Sequence, residues 1–80
     1  MAVNNNIHDI LKYHRKQAGL SQKDLADLAG VGKTVIFDLE KGKQTVKWQT
    51  ILAISHALNI EINFNSPLME SYEKSRNQSS

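Results

Sequence analysis

The sequence predicts an all-α domain of four short helices followed by one short C-terminal strand. Three observations carry the prediction. Apolar residues recur close to every 3.6 positions from Ile7 to Leu58. Each such run is followed by a glycine or asparagine fit to end a helix, namely Gly19, Gly30, Gly42 and Asn59. Over residues 60–65 the period drops to two. Eighty residues, 40% of them hydrophobic, allow one domain with a modest core.

The first helix is expected to start from an asparagine cap, Asn5 or Asn6, and to bury Ile7, Ile10, Leu11 and Ala18, with His14 among them, before Gly19 ends it. Ser21 caps the second, and Asp24, three residues on, bonds back in a variant of the capping box whose usual partner is Glu or Gln. Leu20 and Leu25 form a hydrophobic staple, and Leu25, Leu28 and Ala29 face inward up to Gly30. After a turn at Val31, a third helix opens near Gly32 or Lys33 and runs to about Glu40, with Ile36 and Leu39 inward and Gly42 beyond its end. Lys43-Gln44-Thr45 form a loop. In the fourth helix Ile51, Leu52, Ile54, Ala57 and Leu58 face inward, and Trp48 packs at its start. Ile60, Ile62 and Phe64 alternate with Glu61, Asn63 and Asn65 as the strand. Ser66-Pro67 break it, and residues 66–80 are expected to be a flexible tail after the domain of residues 1–65.

Composition excludes several classes. Without cysteine there is no disulfide framework or thiolate metal site, which fits a reducing cytoplasm. No apolar run approaches a membrane span, and the first residues do not read as a signal peptide. The net charge of +2 says little, but the stretch from Lys12 to Lys47 carries eight basic residues (Lys12, Arg15, Lys16, Lys23, Lys33, Lys41, Lys43, Lys47) and four acidic ones (Asp24, Asp27, Asp38, Glu40). That bias is either a footprint for a polyanion or a set of solvated helix faces. Gly32-Lys33-Thr34 imitates the end of a phosphate-binding loop, but the glycine that loop requires earlier is Asp27, and no strand precedes it. His8 and His14 diverge by about 240° around a helix, and the adjacent Ser55 and His56 cannot face each other, so neither a metal site nor a nucleophile pair is expected. No enzymatic activity and no cofactor are expected.

Two short helices joined by a glycine-containing turn inside a four-helix unit make a helix-turn-helix. Here Ser21-Gln22-Lys23-Asp24-Leu25-Ala26 open it, Ala29-Gly30-Val31 form the turn, and Ile36, Leu39-Glu40 and Gly42 close it. Through these residues the chain resembles the XRE family of Cro and phage (lambda-type) repressors over about residues 7–60. Val31-Gly32-Lys33-Thr34, Asp38 to Lys43, Leu58-Asn59-Ile60 and Ser66-Pro67-Leu68 resemble the HipB-type antitoxins more closely. The family resemblance implies a sequence-specific repressor. The subgroup resemblance implies an antitoxin that represses its own operon and partners a HipA-like kinase toxin. The alternative is a phage or chromosomal repressor with no toxin, and either would act in the bacterial cytoplasm, at the nucleoid. The resemblance also implies a structural ion pair between Arg15 and Glu40.

The residues of the motif point to DNA in their own right. A recognition helix enters the major groove with its N-terminal residues against base edges. Lys33 can donate to guanine there, Thr34 can bond either way, Asp38 can accept from cytosine N4, and an exposed Phe37 can meet a thymine methyl. Asp38 has a local cap as its alternative role, and Phe37 has packing on a loop or a dimer partner. Gln22, Lys23, Lys43, Gln44 and Lys47 flank the site, with the lysines and Gln22 suited to phosphates. The chain offers no second strand, so the strand of Ile60, Ile62 and Phe64 is expected to pair with its own copy in a homodimer on a palindromic operator, with half-sites about 34 Å apart.

Overall fold

Asn6 starts the first helix: its side-chain oxygen accepts from the backbone N–H of His8 at 2.8 Å. In the computed structural model, which describes residues 6–78, the helices are α1 (Ile7–Gln17), α2 (Gln22–Ala29), α3 (Lys33–Glu40), α4 (Trp48–Ala57) and α5 (Met69–Gln78). The Asn5 alternative and the last two residues of the expected tail lie outside the described residues. The capping box of α2 forms in full. Ser21 Oγ accepts from the Asp24 N–H at 2.9 Å, and the Asp24 carboxylate accepts from the Ser21 N–H at 3.1 Å. Among the described residues no helix is long and apolar enough to cross a membrane.

The core draws on all of the first four helices: Leu11 from α1, Leu25 and Ala26 from α2, Ile36 and Leu39 from α3, Ile51 and Ile54 from α4. α2 packs on α3 and α4, and α1 packs on α3. Four residues expected inward are not. Leu28 is 64% exposed, Leu52 is 42% exposed, and Ala18 and His14 are also exposed. Helix geometry explains the two leucines. At about 100° per residue, the arc completed by Ala26 and Ala29 beside Leu25 turns Leu28 outward. In α4, Ser55 completes the arc of Ile51 and Ile54 and leaves Leu52 at its edge. Trp48 packs less closely than expected, being 52% exposed.

The α2–α3 turn rests on Gly30, whose φ of 72° is left-handed. That conformation lets the Val31 N–H reach the Ala26 carbonyl at 3.0 Å while the Gly30 N–H bonds Asp27. The same pair of bonds closes α1 before Leu20, α3 before Lys43 and α4 before Ile60, the last around the left-handed Asn59. A Cβ at Gly30 would meet no atom within 4 Å. Gly30→Ala should therefore lower unfolding free energy by about 1–2 kcal/mol, from backbone strain alone. A loss in urea denaturation well above that range would reveal a clash the geometry does not contain.

Two features of the C-terminal region correct the sequence reading. Residues 60–65 form no strand, and none occurs among the described residues. A ladder needs a second strand, and the described residues supply none. Ile60 and Ile62 instead lean on the core, while Phe64 is 72% exposed. The tail is not featureless either, because residues 69–78 are the helix α5, with Glu70 and Lys74 paired one turn apart at 3.3 Å. Tyr72 in this helix (53% exposed) and Leu68 just before it (73%) add little to the core.

Candidate nucleic-acid interface

α3 is held from below by Ile36 and Leu39, each 1% exposed, which leaves Lys33, Thr34, Phe37 and Lys41 facing outward. Its C-terminal end is locked to α1 by a two-pronged ion pair. Arg15 Nε donates to Glu40 Oε2 at 2.6 Å and a terminal guanidinium nitrogen donates to Oε1 at 3.0 Å. The other terminal nitrogen donates to the Leu20 carbonyl at 2.7 Å, so Arg15 also ties down the loop that enters α2. The side chains of Arg15 and Glu40 are only 10% and 4% exposed. Burial pushes the Glu40 carboxyl up, but hydrogen bonds from Arg15 and Gln22 and the charges of Arg15 and Lys12 outweigh it and leave its pKa below the ordinary value. The bond to Glu40 raises the Arg15 guanidinium further, against its own desolvation.

Four of the sequence-predicted residues meet in one place. Thr34 and Asp38 from α3, Lys43 from the following loop and Lys47 at the start of α4 line a cleft of about 440 Å³. Lys33 and Phe37 stand on the outer stripe of α3, with Phe37 45% exposed and Asp38 half-buried behind it. Gln44 turns to the other side of the loop, toward His8 and Trp48. Gln22 is half-buried, and its amide donates to Glu40 Oε1 at 3.2 Å, so it braces the ion pair from the first turn of α2. Lys23 pairs with Asp27 at 2.9 Å on the exposed face of α2. Sequence reasoning missed two contacts. The Gln22–Glu40 bond has no local signal, because the residues lie 18 apart. Lys41, whose ammonium sits 4.9 Å from the centre of the Phe37 ring, was legible as an (i, i+4) neighbour on one helix face. No group of three side chains able to hold a metal ion occurs among the described residues.

A helix-turn-helix family model (HTH_3) matches residues 11–65. The uncharacterized HTH-type transcriptional regulator y4mF of Sinorhizobium fredii is 36% identical over 62 residues, which is 78% of this chain and 82% of that protein. Among solved structures, a HipB variant in an O2 20mer complex superposes with a TM-score of 0.71 at 19% identity, over 84% of this chain and 96% of that one. A HipA–HipB–O2–O3 complex gives the same score and identity, over 84% and 97%. The fold is thus shared with HipB, and the chain belongs to the helix-turn-helix family of the XRE type.

Proposed function

We propose that this chain is a sequence-specific DNA-binding repressor that lays α3 in the major groove. The observation that carries the reading is the juxtaposition of Lys43 and Lys47 with Thr34 and Asp38 on one open cleft, beside a helix whose position is fixed by Ile36, Leu39 and the Arg15–Glu40 pair. Lys33, Thr34 and Asp38 read bases, and Lys43 and Lys47, joined by Lys23, hold phosphates. Lys33→Ala then weakens binding to the chosen operator by about 1–3 kcal/mol with little effect on random duplex. Lys43→Ala weakens both alike and lowers the salt slope by about one per domain. Fluorescence anisotropy on both duplexes checks the division of roles, and equal losses for the two variants on both duplexes would refute it.

The repressor acts as a homodimer on a palindromic operator in its own promoter. Ile60 and Ile62 sit on the core beside Trp48 and leave the backbone of residues 60–65 without a ladder partner. A second copy supplies one by antiparallel pairing across a twofold axis, with Phe64 joining the shared apolar face. Ile62→Pro removes a donor from that ladder and shifts sedimentation from dimer to monomer, with helix content kept. A fully dimeric variant would assign the interface to helices instead. The HipB-like segments 31–34, 38–43, 58–60 and 66–68 favour an antitoxin that partners a HipA-like kinase toxin, and one solved structure of the shared fold is a HipA–HipB–O2–O3 complex. Co-purification from the native host tests this, and recovery of a DNA-binding dimer alone would leave the repressor without the toxin.

A further inference from the structure

Phe37 is unusual for an outward position on a short helix. The core-facing positions of α3 are already filled by Ile36 and Leu39, yet Phe37 keeps 45% of its surface in water. It belongs to the stripe Lys33, Phe37, Lys41, spaced one turn apart on one face. The Lys41 ammonium lies 4.9 Å from the ring centre, close enough for a cation–π contact that restrains the ring over the α3 surface. On either side of Phe37 along the helix stand Thr34 and Asp38, which open on the cleft with Lys43.

We infer that Phe37, held by Lys41, is a reader of the 5-methyl group of a pyrimidine in the major groove. The inference rests on the DNA-binding reading above. A base edge offers few apolar groups in that groove, and the 5-methyl is the one an aromatic ring can exclude from water. Lys41 is a positioning residue: it limits the ring's freedom before DNA arrives, which reduces the ordering needed on binding. The same chemistry is presented by thymine and by 5-methylcytosine, so the site distinguishes methylated from unmethylated pyrimidine rather than thymine from cytosine as such. Asp38, one residue on, accepts only from an exocyclic amine, as on cytosine, and supplies that second distinction.

The test begins with a duplex selected by the full-length protein from a random pool. Failure to select any sequence would overturn the DNA-binding reading itself. With a selected duplex in hand, each thymine is replaced singly by uracil, and each cytosine by 5-methylcytosine. Loss of one buried methyl should weaken wild-type binding about fourfold at one position per half-site. If that position is a cytosine, methylating it should strengthen binding by a similar factor. Phe37→Ala should lose the methyl dependence and bind the methylated and unmethylated duplexes alike. Lys41→Gln should reduce the dependence, and Lys41→Arg should restore it. Selection of a sequence followed by no methyl dependence at any position in the wild type would overturn the inference while leaving DNA binding intact. Lys41→Gln that lowers only the salt slope, with methyl discrimination unchanged, would make Lys41 a phosphate contact and remove its positioning role. Phe37 and Lys41 are exposed, so unchanged helix content and melting temperature are expected of these variants.

Discussion

Arg15→Met should lower the unfolding free energy by about 3 kcal/mol, because it leaves the Glu40 carboxylate buried without its guanidinium. In a domain of this size that is a fall of roughly 12–24 °C in Tm. Arg15→Met combined with Glu40→Leu should recover much of the loss, since a buried ion pair is often no better than apolar side chains of similar volume. Calorimetry of the two singles and the double separates this from lost packing, which the double would not restore. The pair also makes stability depend on acid. The Glu40 pKa is lowered on folding: hydrogen bonds from Arg15 and Gln22, with nearby positive charge, outweigh the upward push of burial. A depressed carboxylate contributes fully above its unfolded value of about 4.3, and the contribution is lost as pH falls through the lower folded value. Asp24 is held down in the same way, by the Ser21 backbone N–H and hydroxyl. The useful measurement is therefore the difference between wild type and Glu40→Gln, which should narrow below about pH 4. A difference that stays constant down to about pH 2 would mean that Glu40 is not ionised by preference in the fold.

Leu39→Ala should cost about 2–5 kcal/mol, the range for emptying a packed leucine site. Leu39 is 1% exposed and is one of only two α3 side chains in the core, so its loss loosens the helix proposed to read DNA. An 80-residue domain holds only about 4–12 kcal/mol in all, so the variant loses a large share of its stability and should melt well below the wild type. Leu28→Ala is the control. The chemical change is the same, but Leu28 is 64% exposed and the cost should stay within about 0.5 kcal/mol. Comparable losses for the two variants in urea denaturation would show that the core is drawn in the wrong place.

What could be read from the sequence was mostly local. Ser21 and Asp24 stand three apart, and their reciprocal bonds need nothing beyond one helical turn. The helix ends at Gly19, Gly30, Gly42 and Asn59 are equally local, because a left-handed residue and two backbone bonds define each. The choice among Leu25, Ala26 and Leu28 was not legible, since it depends on where α3 and α4 press on α2. An alternating pattern over residues 60–65 signals a strand, but pairing also requires a second edge, which no local pattern provides. The polar α5 escaped for the opposite reason. Without a buried face it has no apolar period, and its only sequence signs were the Pro67 before it and the Glu70–Lys74 spacing. In the candidate site, Lys33, Thr34 and Asp38 were legible from their place after the turn. The bracing of Glu40 by Gln22 became visible only when α2 and α3 were docked.

The central claim, that this fold presents a DNA-reading helix, is tested most directly by the salt dependence of binding to duplex DNA. With Lys23, Lys43 and Lys47 on phosphates in each half of a dimer, log K against log salt concentration should fall with a slope of about −5. A selected operator should be bound at least about a thousandfold more tightly than random duplex at the same salt. Absence of binding at low salt, or binding with no salt dependence and no preference for any sequence, would contradict the account.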